Sequence, residues 1–390
     1  IFGLWYELER NSRICKYCCR ACSREIRYCY GDAARNHRST EKSNGVMYIV
    51  TGGAGFVGAN IVAGLNNRGL NNVIVVDDLE DGTKVSNIID LEFADYLDKT
   101  QFLKDVIKNG LPRQTRIVFH QGACSDTMVT DGHFMMENNF SYSKHLYEAC
   151  RRCAVPLVYA SSASVYGESK MFEEVSGCEN PLNIYALSKL IFDRYVRARE
   201  ASHTNQVVGL RYFNVYGARE QHKAHMASVA YQLFHQYQAT GQVRLFGASA
   251  GYSDGEQRRD FVSIEDVVRA NLFCMDHPHF KGIYNLGTGV SRSFNDMALA
   301  VVNSCRALSG RKSLSLEESQ IQEVITYFDM PATLTGKYQD YTQADVGRLR
   351  EAGYDGEFVT LEAGVRRYVG WLMQHTNSDR PNFDRQSTNS

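Results

Sequence analysis

Residues 47–64 read MYIVTGGAGFVGANIVAG. A short apolar, β-branched run ends in glycine, and apolar positions at helical spacing begin directly after Gly58 and stop before Gly69. A strand that turns into a helix through Gly52, Gly55 and Gly58 leaves few architectures open. The first glycine permits the tight turn, the second lets a diphosphate approach the backbone, and the third allows close helix–strand packing. The free N–H groups of the helix then face the diphosphate. Asp77 and Asp78 end the next apolar run, NNVIVVDD, at about the 20-residue distance at which an acidic group meets a ribose. Strand before, helix after and acid at that distance read together as a dinucleotide site rather than as a structural glycine turn.

The pattern repeats. TRIVFHQGA, VPLVYASS and NQVVGLRYFNVYG are further strand-like runs, with helical stretches such as FSYSKHLYEACRRCA between them. Runs that are apolar throughout suit parallel strands covered on both faces. The alternation predicts an α/β fold: a doubly wound parallel Rossmann sheet with a smaller C-terminal α/β lobe for substrate. The expected division is a dinucleotide-binding domain at 47–218, a mainly substrate-binding lobe at 219–374 with some return to the sheet, and a polar tail at 375–390. In the second lobe MASVAYQLFHQYQATGQ, SFNDMALAVVNSCRALSG and LEAGVRRYVGWLMQH read as helices, and GASAGYSDGEQRRD as a loop ending in two arginines.

Composition narrows the partners. With 44% hydrophobic and 22% charged residues the chain buries an ordinary core, and a net charge of −1 argues against nucleic acid or an acidic membrane surface. No apolar run reaches the roughly 18 residues of a membrane span, so a cytoplasmic protein is expected. Residues 1–46 differ in kind, with nine Lys or Arg against five Asp or Glu, and Cys15, Cys18, Cys19, Cys22 and Cys29 among the eleven cysteines. Thiolates at that spacing can meet one Zn²⁺, but the two CxxC pairs abut, where a zinc module separates them by a dozen residues or so. No metal site is expected there. Met47 directly precedes the first strand, and the 46 residues before it read as an atypical extension outside the fold.

YASSASVYG (159–167) is followed by YALSK (185–189). On a helix Tyr185 and Lys189 share a face, and an ammonium beside a phenol lowers its pKa from ~10 toward neutrality, making it a usable acid or base. Ser162 ends a strand at the sheet edge where a nicotinamide would lie, and can hydrogen-bond a substrate hydroxyl. Beside a dinucleotide, this set oxidises an alcohol. The cofactor phosphate is left open: Asp77 and Asp78 favour NAD, whereas Lys84 stands within reach of a 2′-phosphate and favours NADP.

These residues resemble the extended short-chain dehydrogenase/reductases. VVDDLEDGTK, HQGACSDT, PLNIYALSK, RYFNVYGARE, HKAHMASVA, RRDFV, YNLGTG and KYQDYTQAD, in that order over about residues 47–374, narrow the resemblance to the ADP-L-glycero-D-manno-heptose 6-epimerases. The resemblance implies inversion at C6 of ADP-heptose through a 6-keto sugar, with bound NADP (NAD possible), in a homo-oligomer, a pentamer. It implies that Phe56, Val57, Lys99, Asn138 and Val215 join the glycines, Asp77, Asp78 and Lys84 around the cofactor, with Gln121, Gly122, Ala123, Cys124 and Ser125 from HQGACS, and Tyr185 and Lys189 from the catalytic set. For substrate it implies Asn214, His225, Gln232, Arg259 and Tyr338, and backbone contacts from Phe246, Gly247, Ala248 and Ser249. The resemblance selects Lys223 as a second proton-transfer group, and chemistry permits it, since partial burial can bring a lysine toward neutrality; His222 and His225 are its neighbours in the same loop. Ala218, His225 and Asp78 depart from the family pattern, the last at the position that bears on cofactor choice. A UDP-galactose-type 4-epimerase is the nearest rival and a non-catalytic dinucleotide sensor the rival of another class. Ser162-Ala163-Ser164, where a dehydratase carries Thr-Asp-Glu, argues against elimination.

Overall fold

The computed structural model describes residues 45–202, 205–330 and 339–376; the cysteine-rich head and Tyr338 lie outside the described residues. The first half alternates as its apolar runs require: β1 (Met47–Thr51), α1 (Phe56–Asn66), β2 (Val73–Asp77), β3 (Asp95–Asp98), α2 (Lys99–Asn109), β4 (Thr115–His120), a short α3 (Gly132–Met135), α4 (Tyr142–Arg152), β5 (Leu157–Ser162), α5 (Ile184–Arg197) and β6 (Val207–Tyr212). The second half holds β7 (Asn214–Tyr216), α6 (Val229–Thr240), β8 (Val243–Phe246), β9 (Arg258–Ser263), α7 (Ile264–Asp276) and β10 (Gly282–Leu286). It continues through β11 (Ser291–Ser293), α8 (Phe294–Leu308), α9 (Leu316–Ile321), β12 (Ile325–Phe328), α10 (Gly347–Glu351) and α11 (Leu361–Thr376).

Seven strands form one sheet in the order β10-β6-β5-β4-β1-β2-β3, and every neighbouring pair is parallel. Side chains alternate between its faces. Tyr48, Val50, Val73, Val75, Ile117 and Phe119 pack on one side with residues of α1 and α7. Ile49, Ile74, Val76, Val118 and Leu157 pack on the other with residues of α2, α4 and α5. Burial on both faces is why these strands read as unbroken apolar runs. Strand order reverses between β1 and β4, and a crevice opens at such a switch point, at the carboxyl ends of the strands. A separate core gathers α6, α8 and α11 around β8, beside a three-stranded sheet β11-β9-β7 and the pair β12-β8.

Four details differ from the sequence reading. NQVVGLRYFNVYG is two strands, because β6 pairs with β5 and β10 in the large sheet while β7 pairs with β9. Phe213, buried between them, donates its N–H to the Leu286 carbonyl (3.0 Å). β3 was invisible as an apolar run: DYLD is a short, half-exposed, acidic edge strand. The two arginines at the end of GASAGYSDGEQRRD, Arg258 and Arg259, begin β9 rather than close a loop. Finally, α11 runs through Thr376 into the stretch read as tail, where His375 bonds the Trp371 carbonyl (2.8 Å).

Candidate active site

At the carboxyl ends of β1, β2, β4 and β5 lies a cleft of about 770 Å³, within the range of small-molecule and cofactor sites. Its floor is the glycine turn. Gly52 has φ 66°, in the left-handed region, and a Cβ at Gly58 would fall 2.0 Å from the Gly52 carbonyl oxygen. Gly55 caps α1 without a side-chain hydrogen bond, and Gly55, Phe56, Val57 and Gly58 line the cleft. A diphosphate fits that helix end by charge and by room. Thus the residues present fit a dinucleotide.

All eighteen positions expected around the cofactor, from Gly52 to Val215, line this cleft. At the end of β2 four charges close on one another. Asp77 accepts from the N–H groups of Ala54 and Asp78 (2.8 Å each) and from Lys84 Nζ (3.0 Å). Asp78 pairs with Lys84 (3.0 Å) and with Lys99. Against the cost of burial, these lysines hold the Asp78 carboxyl below its ordinary pKa, while the two carboxylates hold Lys84 above its own. Lys99 also donates to Asn138 (3.2 Å), and Gln121 accepts from the Tyr212 hydroxyl (3.0 Å).

The catalytic set assembles where β5 meets α5. Asn183 caps α5 through the Ala186 N–H, so Tyr185 stands in its first turn and Lys189 one turn on. The Ser162 hydroxyl donates to Ser164 Oγ (3.0 Å) and lines the cleft together with Tyr185. Lys189 Nζ donates to the Ala160 carbonyl (2.8 Å), and burial pulls its pKa down to about 8. The expected effect on the phenol is corrected here. Burial raises the Tyr185 pKa, with Ser162 opposing the shift, while Lys189 is engaged elsewhere. Its ammonium is turned to a backbone carbonyl instead.

Lys223 enters the same cleft from the turn Gln221–Met226, with Asn214 and His225. Its Nζ stands 5.5 Å from the centroid of the Phe56 ring, and burial lowers its pKa while the buried Glu220 carboxylate opposes the shift. The remaining substrate candidates among the described residues do not line this cleft. Gln232 donates to the Ala224 carbonyl (2.9 Å), bracing the Lys223 turn from α6. Arg259 is buried on β9, donates to the Arg258 carbonyl (3.0 Å) and lies 5.8 Å from the Phe294 ring centroid. Backbone groups of LFGAS serve the lobe itself: Gly247 donates to Phe328 (2.8 Å) and Ala248 to Asp254 (2.7 Å).

Residues 48–287 match the NAD dependent epimerase/dehydratase family. Over 326 residues the chain is 54% identical to an ADP-L-glycero-D-manno-heptose-6-epimerase of Thiobacillus denitrificans, covering 84% of this chain and 98% of the relative. The chain belongs to the NAD-dependent epimerase/dehydratase family. Among solved structures, the Helicobacter pylori ADP-L-glycero-D-manno-heptose-6-epimerase matches this family member with TM-score 0.68 at 31% identity, covering 84% of this chain and 96% of that one. A Thermus thermophilus UDP-glucose 4-epimerase in complex with NAD matches with TM-score 0.66 at 28% identity, covering 84% and 99%.

In this epimerase-family site some lining residues had escaped the sequence reading as contributors. Ser164, Asp126, Tyr142 and Tyr212 all line the cleft. Ser164 was legible only as the absence of a dehydratase acid. Tyr142 and Tyr212 lay within runs read as helix and strand, with nothing to mark them as facing a site.

Proposed function

We propose that this chain epimerises C6 of ADP-D-glycero-β-D-manno-heptose to give ADP-L-glycero-β-D-manno-heptose through a transient 6-keto sugar, with NADP resident, for lipopolysaccharide inner-core precursors. The observation that carries the reading is that two proton-transfer side chains from separate elements, Tyr185 on α5 and Lys223 on its turn, line one cleft with the glycine cradle. The sugar follows from the extent of the 54% identity. NADP is supported by Lys84 and Lys99 beside Asp77 and Asp78. The reading includes a dinucleotide domain at 47–218, a substrate lobe at 219–374 and a cytoplasmic homo-oligomer, a pentamer by the resemblance, whose mass in solution tests that part.

A dinucleotide held by the glycine turn, Lys84 and Lys99 would supply hydride acceptance from C6 and its return. Tyr185 takes the hydroxyl proton as C6 becomes a planar ketone, with Ser162 holding the oxygen. If hydride leaves and returns on one side of the cleft, inversion requires the ketone to turn about its bond to the sugar ring. Its oxygen then points away from Tyr185, and the Lys223 ammonium donates the proton as C6–H re-forms on the opposite face. Each turnover leaves Tyr185 protonated and Lys223 neutral, so a proton must pass between them, or through solvent, before the next.

The test is product analysis by NMR with ADP-D-glycero-D-manno-heptose and a panel of UDP-sugars, for the unaltered chain and two variants. Lys223→Met should abolish epimerisation while one stereoisomer still reduces the bound cofactor through Tyr185; Tyr185→Phe should keep reduction by the other isomer. Normal epimerisation by Lys223→Met would sink the two-base reading, and turnover of a UDP-sugar alone would sink the substrate.

A further inference from the structure

The turn that carries Lys223 is bent against the preferences of its own residues. Arg219 (φ 71°), just before the turn, and Ala224 (φ 46°), within it, flank Lys223, both at positive φ and neither a glycine. Such conformations persist only where surrounding structure over-determines them. Here the surroundings are three ties to the dinucleotide side of the cleft.

The Arg219 guanidinium grips both oxygens of Asp90 with bonds of 2.7 Å and donates to the Asn87 carbonyl (2.6 Å). The Asn87 amide, fully buried, donates to the carbonyl of Ala54 in the glycine turn and to His222 Nδ1 (2.9 Å each). A carbonyl partner fixes the amide orientation, so Nδ1 of His222 accepts and its proton sits on Nε2. Asn60, on α1, donates to the Ala218 carbonyl (2.8 Å). Asn87 closes the same short turn, Gly82–Asn87, that carries Lys84. The Lys223 turn, although it follows β7, is therefore fastened to the cofactor platform by side chains more than 120 residues away in sequence.

We infer that the Arg219–Asp90 pair is a positioning device for the second proton-transfer group, holding the Lys223 turn in its strained form against the platform that holds the dinucleotide. The inference rests on the reading of Lys223 given above. A forked guanidinium–carboxylate contact fixes direction as well as distance, and a proton donor misplaced by a fraction of its hydrogen-bond length loses most of its effect. Lys in place of Arg219 keeps the charge but not the fork.

The experiment is a double-mutant cycle of Arg219→Ala and Asp90→Ala in the full chain, with Arg219→Lys as a milder variant should either single fail to fold. Three quantities are read: epimerisation kcat, the Tyr185-dependent reduction of bound cofactor by one stereoisomer, and the melting temperature. Each single should lower epimerisation at least tenfold and the double no further than the worse single, while cofactor reduction stays within twofold. Equal losses in epimerisation and cofactor reduction, or no loss in either, would overturn the positioning role and leave the pair a fold contact. Lys223→Met is run alongside: if it epimerises normally the two-base reading fails, whereas if it is dead and Arg219→Ala is fully active only the present inference fails.

Discussion

Asp78 is the residue on which the proposed cofactor choice turns. Its carboxylate is shared between Lys84 and Lys99, the two cations that the NADP proposal assigns to a 2′-phosphate. Removing that charge without changing the shape releases both. Asp78→Asn should therefore raise affinity for NADP relative to NAD by about tenfold, about 1.4 kcal/mol, measured by calorimetry on cofactor-stripped protein; an equal change for both dinucleotides would mean that the lysines do not meet the extra phosphate. Part of this site was legible in the sequence. Gly52, Gly55, Gly58, Tyr185, Lys189 and Ser162 stand close to one another along short local patterns, and their spacing encodes their geometry. The Asp78–Lys99 pair does not have that property, since α2 reaches β2 only once β3 has been added at the sheet edge. Nor does spacing reveal that Lys189 turns to the Ala160 carbonyl, because the strand bearing that carbonyl approaches α5 only through tertiary packing.

Helix α5 is held by a charge buried with it. One turn beyond Lys189, Asp193 is wholly buried and accepts from Arg211 (2.9 Å), the Ser161 hydroxyl (2.9 Å) and the Tyr159 hydroxyl (3.0 Å). Arg211, also wholly buried on β6, reaches on to Glu179 (2.5 Å) and the Tyr166 hydroxyl (3.0 Å). Removing one member of such a group leaves its partners charged and unpaired, which costs about 3–5 kcal/mol. Arg211→Met should lower unfolding free energy by that amount in urea titration and reduce turnover through displacement of Tyr185; a loss under about 1 kcal/mol would mean that the carboxylates find other partners. The element boundaries were the weakest part of the sequence reading for a related reason. RYFNVY looks continuous, yet Tyr212 ends one sheet and Asn214 begins another, because the choice is made by β10 and β9, strands still far downstream.

At the scale of the whole molecule, buried histidines such as His120 and His222 couple stability to acidity. His120, held between Thr51 (2.6 Å) and Ser143 (2.7 Å), is pulled down to about 3, first by burial and then by Lys189. His222 is pulled down to about 4, mainly by burial. Both are neutral when folded, so between about pH 6.5 and these values the unfolded chain binds more protons. Stability accordingly falls as pH falls through that window, by about 1.4 kcal/mol per unit for each group. Asp266, which burial raises to about 6, acts oppositely below that pH and makes the net slope shallower. Comparing urea midpoints of His120→Gln and the unaltered chain from about pH 6.5 to 4 isolates one histidine: the variant should show the flatter dependence, and parallel curves would refute the assignment. The alternation that identified the sheet was legible because burial on both faces leaves unbroken apolar runs, and the long helices α6, α8 and α11 of the second lobe were legible by their period; its strands were not, because they are short and pair across long gaps. That topology also sets a schedule. β6 leaves the ribosome well before its outer partner β10, with the segments that become β7, α6, β8, β9 and α7 made in between. Until residue 286 has emerged, the nascent sheet presents the apolar hydrogen-bonding edge of β6 to the surrounding cell, so the interval of synthesis between these two strands is when the chain most needs a chaperone.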